Sequence, residues 1–321
     1  MRIDDSVYGT VQITEPVLVE LIESDALQRL KGISQYGAPD EYYGIPSFSR
    51  FDHSVGVMIL LQRLGASLEE QIAGLLHDVS HTAFSHTGDW VLGDQEKEEL
   101  QDKNHKKFIL ETEIPKILSR YGIDFEAVID TKKFTILERD APFVCADRVD
   151  YCLRDYYLDR SDIKTILDNI LVRDGRIVFA NKEAAGAFGR NFMKCQKEHW
   201  QNIEFNVRTA LLSKALYIAL QKGIITVDEL YKEDDDYNSM KLKESEDPEI
   251  LRIIELLSGK LNYEWTETNP NIKLRKKFRW IDPEYLNAGE VHKLSEDPNY
   301  SSLVEEVRKL NERGVSVRIA I

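Results

Sequence analysis

The sequence predicts a mainly α fold with small β-hairpins and a mixed α/β C-terminal region. Apolar residues recur at helical spacing through most of residues 16–221. Alternating, strand-like runs interrupt them only at residues 7–14 and 171–180. Beyond residue 249, short strand-compatible stretches alternate with two helical patterns.

Taken in order, residues 7–14 suit a small N-terminal hairpin. Val17, Leu18, Leu21, Ile22, Leu27 and Leu30 then mark one helical face. Residues 32–49, rich in Gly, Pro and Tyr, read as an ordered loop. Residues 51–64 are helical again. Ser67 followed by Glu70 is a capping-box signature, and the helix that it starts runs to His77-Asp78. Further helices are expected at 105–120, 138–157, 162–169, 184–197 and 203–221, with a hairpin turning at Asp174-Gly175. Residues 1–230 form the expected catalytic body. Residues 231–248 read as an acidic loop or linker, and residues 249–321 as a small α/β region. That region holds a helix at 249–257, a basic, strand-compatible run at 273–279, a helix at 302–311 and a strand at 315–321.

A hydrophobic content of 42% in 321 residues supports a sizeable core. The net charge of −14 argues against a general nucleic-acid binder, but leaves room for a small phosphorylated substrate. Three cysteines without a CxxC pair indicate neither a disulfide framework nor a zinc knuckle. The start of the chain lacks a signal-peptide pattern, and no apolar run is long enough to span a membrane. A cytoplasmic location without membrane contact is expected.

Five of the seven histidines lie between positions 53 and 105. His77-Asp78 ends an apolar helix and opens a histidine-rich turn, Ser80-His-Thr-Ala-Phe-Ser-His86. With His53 upstream and Asp147 downstream, the pair supplies two imidazoles and two carboxylates. That donor set suits a divalent ion such as Mn, Fe, Zn, Co, Ni or Mg, and leaves coordination positions open for catalysis. His81, His86 and His105 are then available to protonate a leaving oxygen, with Asp89 placed to orient one imidazole. Asp52 and Asp150 read as a helix cap or as partners of Arg50, Arg148 or Arg154. The basic run at 273–279 reads as a partner-facing strand, and Trp200 and Trp280 as core or interface residues.

The order His53…His77-Asp78…Asp147, with Arg50 three residues ahead of the first histidine, strongly resembles the HD superfamily of metal-dependent phosphohydrolases. The likeness covers roughly residues 15–220 and is nearest to the deoxynucleoside triphosphate triphosphohydrolase branch. It implies an HD-domain helical bundle and a metal held by His53, His77, Asp78 and Asp147. Arg50 would approach the phosphates, and His81, His86, Asp89 and His105 would form the catalytic and phosphate-binding group. Arg148, Tyr151 and Asp155 echo a run that touches phosphates and sugar in nucleotide-cleaving members. Gln35 sits where such members read the sugar, and Arg190 answers to an arginine ahead of the base pocket. Downstream, Gln196-Lys-Glu-His-Trp200 departs from the family pattern, with His199 one residue out of register, which bears on base recognition. The expected activity is hydrolysis of a nucleotide, such as a dNTP, or of another small phosphate ester. The alternatives are a phosphodiesterase on cyclic or oligonucleotides and a non-catalytic nucleotide-binding module. Family analogy also implies a homo-oligomer.

Overall fold

Three helices set the frame for everything that follows: Arg50–Arg63, Leu68–Leu76 and Ala146–Arg154. The computed structural model describes residues 1–93 and 100–319, except for the side chains of Asp89, Leu100 and Asp102. The described residues form seventeen α-helices and three small sheets.

Local chemistry explains where the first of these helices begins. Ser49 caps Arg50–Arg63 in a closed capping box with Asp52, which fixes Arg50 in the first turn and His53 one turn later. Ser67 caps Leu68–Leu76, as its pattern predicts. Glu70 does not close the expected box. It is buried, and its Oε1 accepts the N–H groups of Ile136 and Leu137, both at 3.0 Å. The carbonyls of those two residues in turn accept the N–H groups of Ala146 and Asp147. Glu70 thereby ties the start of Ala146–Arg154 to the helix that carries His77-Asp78. The single helix expected at 138–157 is confined to Ala146–Arg154, because residues 138–145 form this bracing loop.

Two glycines permit the close approach. A side chain at Gly74 would collide with Leu61 and Val57 of the neighbouring helix. One at Gly56 would collide with Arg154 and Asp150.

The N-terminal hairpin pairs Arg2–Asp5 with Gly9–Gln12. The hairpin Ile170–Arg173/Arg176–Phe179 extends into a four-stranded sheet, because Phe179 pairs in parallel with Tyr285 of the C-terminal region. The third sheet places Val315–Ile319 between Tyr263–Trp265 and Ile272–Leu274. Of the basic run at 273–279, only the first two residues are strand.

The acidic loop expected at 231–248 is helical instead: Val227–Lys232 reaches into it and Asp235–Lys243 fills most of it. Its acids have structural duties. Asp234 caps the second of these helices through Tyr237 N, and buried Asp235 accepts the N–H groups of Ser34 (2.9 Å) and Phe84 (2.6 Å). The apolar interior also crosses the expected boundaries. One cluster joins Val57, Leu76, Val149 and Phe188 to Ile281, Tyr300 and Val307. The other joins Tyr42 and Phe84 to the Ile203–Gln221 and Pro248–Leu257 helices and to Val317.

Candidate metal centre and adjoining cleft

Four side chains converge where the three framing helices meet. His53 is buried, and its Nδ1 donates to Asp150 Oδ2 at 2.7 Å. His77 Nδ1 donates to the Gly74 carbonyl at 2.7 Å. Both rings therefore turn Nε2 inward, 3.3 Å apart. Asp147 Oδ1 lies 2.9 Å from His53 Nε2 and 3.5 Å from His77 Nε2. These three donors lie within 4.8 Å of one another. Asp78 completes the group, with its oxygens 3.6 Å from His77 Nε2 and 3.7 Å from His53 Nε2.

The electrostatics fit a cation. Burial alone would depress the His77 imidazole, but Asp78 and Asp147 outweigh it and raise it to about 9. His53 is likewise raised against its burial, by Asp147 and Asp150. Burial would raise the Asp78 carboxyl, yet Arg50 and His77 hold it well below its ordinary range. Two imidazole nitrogens facing ionised carboxylates are the donor set of a transition-metal site. Asp150 supplies the partner that orients a histidine ligand, and is itself held by Arg154 Nε at 2.9 Å.

Arg50 spans from this cluster into the histidine turn. Its Nη1 donates to Asp78 Oδ2 at 2.5 Å and its Nε to Ser85 Oγ at 2.8 Å. Its buried Nη2 has no partner among the described residues. The turn itself is strained. Phe84 and Ser85 both adopt positive φ, 61° and 46°, a conformation that costs non-glycine residues roughly 1–3 kcal/mol each. Asp235 bonds the Phe84 N–H, Ser85 Oγ donates to the Ser34 carbonyl, and Arg29 Nη2 donates to the Val79 and His81 carbonyls. The clamped turn directs His86 into the helix His86–Leu92 and sets its ring edge-on to His81, with centroids 5.2 Å apart.

A family model of the HD domain matches residues 50–138, the stretch that carries His53, His77 and Asp78. The chain is 36% identical to the uncharacterized protein YdhJ of Bacillus subtilis, across 99% of both chains. It is 32% identical to the metal-dependent phosphohydrolase cns2 of Cordyceps militaris, over 90% of this chain and 86% of that one. The chain belongs to the HD superfamily of metal-dependent phosphohydrolases. A deoxynucleoside triphosphate triphosphohydrolase SAMHD1 homolog of Dictyostelium discoideum is more distant, at 23% identity over 96% of this chain and 64% of its own.

Beside the HD cluster, on the same Ala146–Arg154 helix, opens a cleft of about 110 Å³. Gln35, His86, Tyr151 and Asp155 line it, together with Tyr36, Tyr43, Phe48, His199 and Trp200. A roomier cavity of about 550 Å³, lined by Arg29, Phe108 and Tyr231, contains none of the cluster residues. Position beside the donors, rather than size, singles out the cleft. Asp155 Oδ2 accepts both His199 Nδ1 at 2.7 Å and Trp200 Nε1 at 3.0 Å, and Oδ1 accepts Tyr157 N.

His81 and His105 flank the cluster rather than the cleft. Burial, then Arg50, pulls His81 down to about 3, while burial, then the nearby His77, pulls His105 down to about 4. His105 Nδ1 lies 2.9 Å from Ser80 Oγ. The Asp89 side chain lies outside the described residues.

Two expected substrate residues are placed elsewhere. Arg148 donates to the Arg139 and Phe143 carbonyls and pairs with Glu138, so its guanidinium clamps the 138–143 loop. Arg190 is exposed, with Lys194 one of the two outward positions between Ala184 and Cys195 of the Lys182–Cys195 helix.

Asp150, Lys276 and Arg279 were not read as site residues. Charge pairing explained Asp150 sufficiently, and the two cations lie far along the chain. His199 and Trp200 did leave a trace, the one-residue register slip. A π-helical turn at Gln196–Trp200 accommodates that residue and brings both side chains to Asp155.

Proposed function

We propose that the protein is a metal-dependent phosphohydrolase that cleaves a nucleotide, such as a dNTP, or another small phosphate ester bound in this cleft. The observation that carries the reading is the convergence of His53 Nε2, His77 Nε2 and Asp147 Oδ1 beside an arginine whose buried Nη2 has no partner among the described residues. Under this reading His53, His77, Asp147 and Asp78 hold the divalent ion. When bound, the ion supplies Lewis acidity toward a phosphoryl oxygen and toward water.

The protein's own groups account for the remaining steps. Arg50 offers Nη2 to the phosphoryl oxygens while Asp78 and Ser85 keep its guanidinium in plane. His81 and His105, which burial holds below the ordinary imidazole range, stand beside the cluster as hydrogen-bonding groups. Of the two imidazoles in the cleft wall, His199 is held by Asp155, and His86, next to His81, is the one that delivers the proton to the departing oxygen. Tyr151, Gln35 and Asp155 line the space left for the rest of the substrate. This reading is in keeping with the likeness to the metal-dependent phosphohydrolase of Cordyceps militaris and, more distantly, to the triphosphohydrolase homolog of Dictyostelium discoideum.

A hydrolysis screen tests it. Purified protein is offered the dNTPs, NTPs, nucleoside monophosphates, cyclic dinucleotides and a chromogenic diester, each with Mn, Fe, Co or Mg. Release of phosphate, pyrophosphate or triphosphate is expected, and its loss in His77→Ala/Asp78→Ala. Equal turnover by that double variant overturns the reading, and activity on diesters alone moves it to a phosphodiesterase. No described helix is long and apolar enough to cross a membrane. A cytoplasmic homo-oligomer remains part of the proposal, and a monomer in light scattering at micromolar concentration removes the assembly.

A further inference from the structure

The N-terminal hairpin, Arg2–Asp5 with Gly9–Gln12, lies ahead of the residues that match the HD domain, and no step of the proposed mechanism uses it. Its turn nevertheless sends one carboxylate toward the metal centre. Asp5 divides its two oxygens. Oδ1 closes the turn by accepting the N–H groups of Val7 at 2.8 Å and Tyr8 at 2.9 Å. Oδ2 instead accepts Arg154 Nη2 at 2.7 Å, in an ion pair that leaves the Asp5 side chain 5% and the Arg154 side chain 2% exposed.

The other edge of the same guanidinium points at the cluster. Arg154 Nε donates to Asp150 Oδ2 at 2.9 Å, and that oxygen also accepts from His53 Nδ1 at 2.7 Å. A chain of charged hydrogen bonds therefore runs Asp5–Arg154–Asp150–His53, and ends on the imidazole whose Nε2 faces Asp147 and His77. Packing holds the guanidinium where it is. It lies over the Tyr8 ring, 5.7 Å from the centroid, and occupies the space that Gly56 leaves open one turn past His53.

A buried ion pair adds little net stability, because desolvation offsets its attraction, so the geometry is the informative part. An arginine fork held at two corners cannot rotate, and thus fixes where Asp150 Oδ2 stands. Asp5 also shares the positive charge of Arg154, which leaves Asp150 a stronger acceptor for the His53 N–H. Both effects favour an imidazole that is oriented and basic at Nε2, as an ion ligand must be.

We propose that Asp5 is a positioning residue of the metal centre: by fixing Arg154 it sets, through Asp150, the orientation and donor strength of His53. This rests on the reading that His53, His77, Asp78 and Asp147 hold a divalent ion. The hairpin is then part of the functional unit, although it contributes no ligand.

Ion affinity, read apart from turnover, tests this. Cobalt binding to the full-length protein is measured by competition with a chelator, and its visible absorption band is recorded. Asp5→Asn keeps an oxygen for the Val7 and Tyr8 N–H groups but meets Arg154 with an amide N–H instead of a carboxylate. Cobalt should bind about three- to tenfold more weakly, with a shifted band. The loss is smaller than for Asp150→Asn because His53 keeps its direct acceptor. Arg154→Lys, whose single ammonium cannot span Asp5 and Asp150, should lose as much, and the double variant no more than either alone. Val11→Ala loosens the same hairpin by packing alone. It should lower the unfolding midpoint and leave cobalt affinity and the band unchanged.

The proposal is overturned if Asp5→Asn binds cobalt as the wild type does, if Val11→Ala weakens binding equally, or if the Asp5→Asn and Arg154→Lys losses add. Should Asp5→Asn fail to fold, Arg154→Lys against Val11→Ala carries the test. A wild type that binds no cobalt overturns the ion reading and this proposal with it. A wild type that binds cobalt, matched by Asp5→Asn, overturns this proposal alone.

Discussion

Asp147 and Asp155 stand at opposite ends of the Ala146–Arg154 helix and show two uses of one functional group. Asp147 is partly open, with 21% of its side chain exposed, and faces two imidazole nitrogens. Asp155 is buried and accepts two side-chain N–H donors and one backbone N–H. A carboxylate facing imidazole nitrogens in a partly open site can share a cation with them. One surrounded by N–H donors is a structural anchor, and what it anchors here is the aromatic wall of the cleft. The resemblance reads Asp155 as a sugar contact; in the structure its Oδ2 also holds His199 and Trp200 in place. One end of the helix is built for an ion and the other for shape.

This contrast can be tested by disabling each end separately. Removing the ion end with His77→Ala/Asp78→Ala should lower turnover at least roughly a thousandfold on every substrate, the chromogenic ester included. A substrate-selective loss would break the division. Asp150→Asn leaves all four donors but weakens the acceptor that orients His53. Metal affinity, measured by competition with a chelator, should fall about 10–100-fold. Burial would raise Asp150, but Arg154 and His53 hold it ionised in the wild type, so a neutral replacement is a real change.

At the shape end, Asp155→Ala strands two buried N–H donors. KM for the nucleotide should rise about tenfold while kcat on a small chromogenic ester stays within about twofold. A matching drop on both substrates would mean that Asp155 also supports the ion end.

The smallest effect concerns the clamp beneath the histidine turn. Burial raises the Asp235 carboxyl to about 7 despite the N–H bonds from Ser34 and Phe84. A carboxyl raised in the folded state binds its proton more tightly there. Its contribution is therefore full below its ordinary value of 3.8 and is lost as pH rises through about 7. Stability should fall by roughly 1–3 kcal/mol from this group between about pH 5 and about pH 7.5. Asp235→Asn should flatten that part of the stability profile in chemical denaturation. An unchanged slope would mean that Asp235 stays ionised throughout.

Much of the ion end was legible because its signals are local. An apolar helix ending in His77-Asp78 and the one-turn spacing of Arg50 and His53 each lie in short stretches whose helical periodicity fixes which side chains share a face, whereas Asp147 is reached through the order of ligands that the family shares. The same logic correctly read Asp52 as a cap and Asp150 as a charge partner. It failed for residues 231–248, where a run of acids reads the same whether it is solvated or spent on caps and on the buried N–H groups of distant turns.

By itself, then, the sequence determined a mainly α chain of the HD superfamily and the set of donors available to an ion. The tertiary structure alone decided that Glu70 would brace Asp147, and that Arg148 and Arg190 would turn away from the cleft. It also decided that Asp155 would hold His199 and Trp200, and that Lys276 and Arg279 would close the far wall. The reason is physical. Periodicity and capping act over one or two helical turns, whereas a cleft wall depends on buried polar atoms finding partners far along the chain, as Asp155 does with His199 and Trp200.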